Sequence, residues 1–199
     1  MISRKIGAVA QVILRAIIKI LVFLRINPNH LTFLGFVMSI VTAYAFARGH
    51  FGTAGVILII AGLLDMVDGV VARNTQSETP FGAFFDSVMD RYSDVVLFIG
   101  ILIYYARVGS VLYVVLAAIV MAGSVMTSYT RARAESLVPS CQVGFLERAE
   151  RIVLIIIGGL FNHMGAVLWV IAFFSNLIVL HRCLYTRQQI RGLTFTTPK

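Results

Sequence analysis

Apolar residues fill this chain in long blocks separated by short polar breaks, and the block lengths carry the first prediction. A helix that crosses a bilayer needs roughly 20 mostly apolar residues. Blocks of that order cover 31–48, 52–73, 82–105, 110–134, 148–162 and 164–186, which predicts six transmembrane helices. The breaks are of two kinds. Arg48-Gly49-His50, Val108-Gly109-Ser110 and Asn162-His163 are short enough for tight turns, whereas 74–81 and 135–147 are longer and polar. Alternating the two kinds puts the tight turns on one side of the membrane and the longer loops on the other. Ahead of the blocks, Arg4, Gln11, Arg15 and Lys19 recur at helical spacing with Ala8 between them, a single polar stripe on an apolar helix. Such a stripe fits a helix lying in the membrane interface, basic face towards the headgroups. Ala8-Val9-Ala10 looks like a signal cleavage site, but no uncharged apolar run of sufficient length precedes it. The pattern therefore predicts an all-α polytopic membrane protein. An amphipathic interfacial helix covers 1–26, one six-helix membrane domain covers 27–190, and a tail covers 191–199.

Composition supports that architecture. Charged residues make up 13% of the 199 and hydrophobic residues 59%, with mean hydropathy +0.89, too little polar surface to cover a soluble core. Charge placement then orients the chain. Of the 17 Lys and Arg, only Arg48 and Arg107 fall at the tight turns; the other 15, and all nine Asp and Glu, fall on the opposite side. The positive-inside rule makes that side cytoplasmic, with both termini, in a cell membrane. A net charge of +8 in this setting points to the anionic leaflet and anionic substrates rather than to nucleic acid. Cys141 and Cys183 have no paired spacing and lie on the cytoplasmic side, so they read as free thiols.

Within this apolar chain the stretch LDMVDGVVARNTQSETPFGAFFDSVMDR holds four aspartates. Asp65 and Asp68 are three apart and share a helix face near the end of the second block; Asp86 and Asp90 are four apart and share a face near the start of the third. A short loop makes the two helices antiparallel neighbours, with the acidic pairs at matched depth. Four uncompensated carboxylates would repel and resist desolvation. Arg73 and Arg91 are nearby cations, but two arginines neutralise four carboxylates poorly. A pair of divalent cations does so well, and an all-oxygen site suits Mg²⁺, Mn²⁺ or Ca²⁺ rather than zinc. Paired metals of this kind typify phosphoryl-group chemistry. Gly69 leaves backbone bare where a ligand could approach, and Arg73 suits phosphate. The competing reading, carboxylates on an ion or proton pathway, predicts inverted repeats and broken helices at mid-membrane; the sequence has no visible repeat, and its acids cluster at one end. A noncatalytic anchoring protein would have no use for the complete acidic set.

The string D65-x2-D68-G69-x2-A72-R73-x8-G82-x3-D86-x3-D90 resembles the signature of the CDP-alcohol phosphotransferase family at all eight fixed positions. Asn27-Pro28-Asn29-His30-Leu31-Thr32 resembles the family segment that opens the first span. The resemblance implies transfer of a phosphoalcohol from a CDP-linked donor to an acceptor hydroxyl, with CMP leaving. It implies Asp65, Asp68 and Asp86 as ligands of two divalent cations, Mg²⁺ or Mn²⁺, and Asp90 as ligand and general base. It implies Asn29, Thr32, Gly69, Arg73 and Thr79 as contacts to the CDP part of the donor, and a homodimer.

The acceptor depends on residues farther along. Arg131, Arg148, Arg151 and Arg182 fall at the cytoplasmic ends of the last three spans, where they could line a basic pocket beside the metals. Arginine matches phosphate as a bidentate partner, and a phosphorylated acceptor needs such a pocket. The segments Ser128-Tyr129-Thr130-Arg131-Ala132-Arg133-Ala134-Glu135 and Gly144-Phe145-Leu146-Glu147-Arg148-Ala149-Glu150-Arg151 resemble the phosphatidylinositol phosphate synthase branch of the family. On that resemblance Ser128, Arg131, Arg151 and Arg182 contact the acceptor phosphate, and the donor is CDP-diacylglycerol or an archaeol analogue. Arg131 stands where that branch usually has lysine, Ala149 where it has proline and His181 where it has glutamine. A phosphatidylglycerophosphate synthase, which also takes a phosphorylated acceptor, is the alternative within the family.

Overall fold

The computed structural model describes residues 28–74 and 79–196, with side chains over 29–66 and 79–191. The interfacial helix expected over 1–26 and the side chains of Asp68, Gly69 and Arg73 lie outside the described residues. Six helices are described: α1 (Pro28–Ala47), α2 (Phe51–Asn74), α3 (Pro80–Arg107), α4 (Val111–Glu135), α5 (Arg148–Leu160) and α6 (Met164–Thr196). They coincide with the six apolar blocks. The last continues past residue 190, so part of the expected tail is helical.

The three tight turns form as their residues dictate. Gly49, Gly109 and Asn162 each take a positive φ, of 83°, 74° and 57°. Glycine and asparagine tolerate that conformation best. In each turn the following amide reaches five residues back to close the helix end: His50 N–H to the Ala45 carbonyl, Ser110 to Tyr105 and His163 to Gly158. These are Schellman-type endings, which satisfy carbonyls that a helix end leaves open.

Among the described residues α1 packs on α2 and α3, α3 on α4, α4 on α6, α6 on α5, and α5 on α2. The helices thus form a closed ring in the order α1-α3-α4-α6-α5-α2. One expectation is refined here: among the described residues α2 and α3 meet at their carboxylates rather than by close helix packing. α1 lies against both, and the gap between the two acid-bearing helices is left as a cavity. The α1–α3 contact is tight because Gly100 has no side chain; a Cβ there would come within 2.3 Å of the Ala43 carbonyl oxygen. Arg107 Nη1 donates to the Ala47 carbonyl at 3.2 Å, so the C-terminal ends of α1 and α3 lie together. Phe46, Leu58, Phe98, Ile101, Val120, Ile155, Leu168 and Ile171 fill the core.

Among the described residues three helical segments are long and apolar enough to cross a membrane: Asn29–Ala47, Val111–Glu135 and Met164–Arg191. α2 has a shorter apolar stretch, Phe51–Met66. α3 spans 28 residues but carries Asp86, Asp90, Arg91 and Asp94 within its first 15. α5 is only 13 residues, about 20 Å long, and its first turn holds Arg148, Glu150 and Arg151. Bulky apolar side chains such as Val56, Leu112, Trp169, Phe173 and Leu180 are exposed on the outside of the ring. That is the surface an integral membrane protein presents to lipid. Cys141 is buried, Cys183 is exposed, and both are free thiols.

Candidate functional site

Asp65 projects from α2, and Asp86 and Asp90 project from successive turns of α3. One carboxylate oxygen from each lies within 4.8 Å of the others. The matched depth expected of the acidic pairs is therefore realised for these three, although they meet across a gap. All three are partly buried. Three carboxylates this close, offering only oxygen, fit a hard divalent cation such as Mg²⁺ or Mn²⁺ and not zinc.

The nearest positive charge is Arg148, the first residue of α5. Its Nη1 lies 2.9 Å from Asp65 Oδ2 and 3.0 Å from Asp90 Oδ1. Its Nε lies 3.6 Å from Asp94 Oδ1. Arg91 is 3.5 Å from Asp90 Oδ2. The sequence places Arg148 in a basic pocket beside the carboxylates; the structure puts its guanidinium among them. Asp94, one turn beyond Asp90, is a residue the sequence reading passes over. It is 5% exposed and accepts from Arg151 Nη2 at 2.8 Å. The four-residue step from Asp90 is the signal that could have found it.

A cavity of about 600 Å³ opens beside the cluster. Thr32, Asp65, Asp90, Ser93 and Arg148 give it a polar end, and Leu58, Leu97, Ile152 and Ile156 give it apolar walls. Thr32 thus sits beside the carboxylates. Asn29 and Thr79 lie at the start of α3: a Cβ on Gly82 would meet Thr79 Oγ1 at 3.0 Å and Asn29 Oδ1 at 3.3 Å. Thr79 is also the N-cap of α3, its hydroxyl accepting from the Gly82 amide at 2.9 Å. Such caps typically contribute about 1 kcal/mol to the helix. Asn29, Thr32 and Thr79 are therefore brought to one end of α1 and α3.

The arginines expected at the acceptor phosphate converge on Thr127 and Glu147. Arg151, 2% exposed, donates to Thr127 Oγ1 at 3.2 Å. Arg182, 4% exposed, donates to the Thr127 carbonyl and to the Val143 carbonyl. Arg131 pairs with Glu135 at 3.1 Å and Glu147 at 2.8 Å, and Glu147 lies 3.6 Å from Arg182. Ser128 follows Thr127 on α4 and is half-buried. Each arginine is thus already held by an acid, a hydroxyl or a carbonyl. Through Asp94 the two clusters join: Asp65 and Asp90 to Arg148, Arg148 to Asp94, Asp94 to Arg151, and Arg151 to Thr127.

Comparison with known proteins identifies the family. Residues 25–180 match the family described as CDP-alcohol phosphatidyltransferase. The archaetidylinositol phosphate synthase of Methanothermobacter thermautotrophicus is 34% identical over 169 residues, which cover 82% of this chain and 84% of that protein. Two crystal structures of the Mycobacterium tuberculosis phosphatidylinositol phosphate synthase are similar. The one with CDP-DAG bound has a TM-score of 0.81 at 28% identity and covers 87% of this chain and 93% of that one. The complex with manganese and citrate has a TM-score of 0.77 at 29% identity and covers 86% and 87%. With the carboxylates, the cavity and the arginines gathered on one ring of helices, and with most of its length matched, this chain belongs to the CDP-alcohol phosphatidyltransferase family of transferases.

Proposed function

We propose that this protein is a membrane phospholipid synthase that transfers a phosphatidyl-type group from CDP-diacylglycerol, or its archaeol analogue, to a hydroxyl of inositol phosphate, releasing CMP. The convergence of Asp65, Asp86 and Asp90 to within 4.8 Å carries the reading. Arg148 and Arg91 neutralise these three partly buried carboxylates only in part, and a divalent cation would complete the compensation. Asp65, Asp68, Asp86 and Asp90 are assigned as the holders of two divalent cations, which when bound neutralise the donor diphosphate and stabilise charge on the departing CMP.

The remaining steps belong to the chain. Asn29, Thr32, Gly69, Arg73 and Thr79 are assigned to the CDP moiety. A cavity with a charged end and apolar walls fits a donor with a diphosphate head and lipid tails. Arg131, Arg151, Arg182 and Ser128 are assigned to the acceptor phosphate, with the guanidiniums as bidentate partners. Asp90 takes the proton of the attacking hydroxyl as its oxygen bonds to the lipid-side phosphorus and the bond from that phosphorus to CMP breaks. On this reading the six helices are six spans, the site faces the cytoplasm, and the protein is a homodimer.

Detergent-purified protein incubated with either donor, Mg²⁺ or Mn²⁺, and separately with inositol phosphate, glycerol phosphate or serine tests the assignment through CMP release. Release with inositol phosphate is expected. Release with glycerol phosphate alone overturns the acceptor, and no release from folded protein with any of them overturns the synthase.

A further inference from the structure

We infer that Arg148 is an internal counter-ion of the carboxylate cluster, displaced when a divalent cation binds, and that Asp94 is the seat it moves to. The inference rests on the metal reading of Asp65, Asp86 and Asp90 given above, and it makes Arg148 a positioning residue. A single nitrogen, Nη1, bridges Asp65 Oδ2 at 2.9 Å and Asp90 Oδ1 at 3.0 Å, so carboxylates from two helices are held together by one guanidinium. A cation bound by both carboxylates needs those oxygens and repels the guanidinium. The two positive charges therefore compete for one place.

The far side of the same side chain supplies the second half of the argument. Arg148 Nε is buried and has no hydrogen-bond partner. Asp94 Oδ1 lies 3.6 Å from it, just beyond hydrogen-bond reach. The other oxygen of Asp94 is fixed by Arg151 Nη2 at 2.8 Å. A partly buried guanidinium stripped of its partners would be costly. Here a small movement away from Asp65 and Asp90 completes a charge-assisted hydrogen bond to Asp94. Arg148 therefore keeps a carboxylate partner in both arrangements. Without the cation it prevents Asp65 and Asp90 from repelling each other apart; with it, the carboxylates are released already gathered.

Mn²⁺ affinity of the full chain in detergent, measured by the resonance of free Mn²⁺ with no nucleotide present, tests this. Arg148→Gln removes the competitor, and Mn²⁺ should bind roughly three- to tenfold more tightly. Arg91→Gln removes a positive charge that also touches Asp90 but does not bridge the carboxylates, and should have a smaller effect. Asp94→Asn weakens the second seat, leaves Arg148 on the cluster, and should loosen Mn²⁺ binding. Loss of structure would loosen binding in every variant, so the opposite signs are the signature. Unchanged or weaker binding by Arg148→Gln, or equal tightening by Arg91→Gln, overturns the inference. Should Arg148→Gln fail to fold, Arg148→Met removes the same charge and decides, and unchanged or weaker binding there overturns the inference. A wild-type protein that binds no Mn²⁺ instead overturns the metal reading beneath it.

Discussion

Asp65, Asp86 and Asp90 come from two helices and meet with a single guanidinium bridging two of them. Arg131, Arg151 and Arg182 come from three helices, and each already has an acid, a hydroxyl or a carbonyl to itself. The difference separates what each cluster does for the fold. Like charges held at close range store repulsion, so the carboxylates gain from a ligand. The arginines have their partners without one, save for the Nε of Arg151, which is buried with no hydrogen-bond partner. Arg151 in particular is buried against a buried Asp94, and removing one partner of such a pair is usually far more damaging than removing both. The carboxylate cluster should thus be expendable for stability and indispensable for turnover, and the arginine cluster should be needed for both.

Asp90→Asn tests the first half and carries the largest expected effect. If Asp90 is the base and ligand proposed above, its loss should lower kcat by about 10²- to 10⁴-fold. The unfolding midpoint of the metal-free protein should hold steady or rise, because the substitution removes a repelling charge. A midpoint that falls with activity would erase the contrast between the clusters.

Arg151→Met is the matching test of the second half. It takes from Asp94 its closest partner and leaves only Arg148 Nε at 3.6 Å, and breaking a buried pair in this way typically costs about 3–5 kcal/mol. Denaturation in detergent should show that loss with or without Mn²⁺. Asp94→Asn combined with Arg151→Met should be less destabilised than Arg151→Met alone, because no buried charge is then left unpaired.

Gly100→Ala sharpens the comparison from outside both clusters. The added methyl would meet the Ala43 backbone and push α1 from α3, an overpacking that commonly costs about 1–3 kcal/mol. α1 supplies Thr32 to the carboxylate side and nothing to the arginine side. The KM for the CDP-linked donor should therefore rise while the KM for the phosphorylated acceptor stays within about twofold, the margin set by additivity of distant sites.

How much of each cluster was legible follows the same division. The acids lie on two helices that are adjacent in sequence, and the i,i+3 and i,i+4 steps place them on faces without any knowledge of the fold. Their meeting was foreseeable, although the wedge of α1 between α2 and α3 was not, because ring order depends on packing between distant segments. The tight turns were legible because Gly49, Gly109 and Asn162 are the residues that tolerate a positive φ. Arg148 is 83 positions from Asp65, and nothing local in either segment encodes their contact. Its charge could be read as belonging near the site, but not its place inside the cluster. Glu135, four residues after Arg131 on α4, is a local partner, but the other partners were hidden for the same reason: Glu147 and the Val143 carbonyl come from the 135–147 loop and its junction with α5.

Glu147 marks the smallest and most specific contrast. Its carboxylate bridges Arg131 at 2.8 Å and Arg182 at 3.6 Å, while the adjacent Arg148 occupies the acidic cluster. An acid between two arginines assigned to an acceptor phosphate has the charge that phosphate would bring. It is about half exposed, so its ion pairs are weak, of the order of 0.2–1 kcal/mol each. Glu147→Gln should therefore leave stability nearly unchanged and free the two guanidiniums. The KM for the phosphorylated acceptor should fall about two- to fivefold, with kcat and the Mn²⁺ requirement unaltered. A rise in that KM would mean that Glu147 orients Arg131 and Arg182 for the acceptor, making the arginine cluster as dependent on its internal acid as the carboxylate cluster is on Arg148.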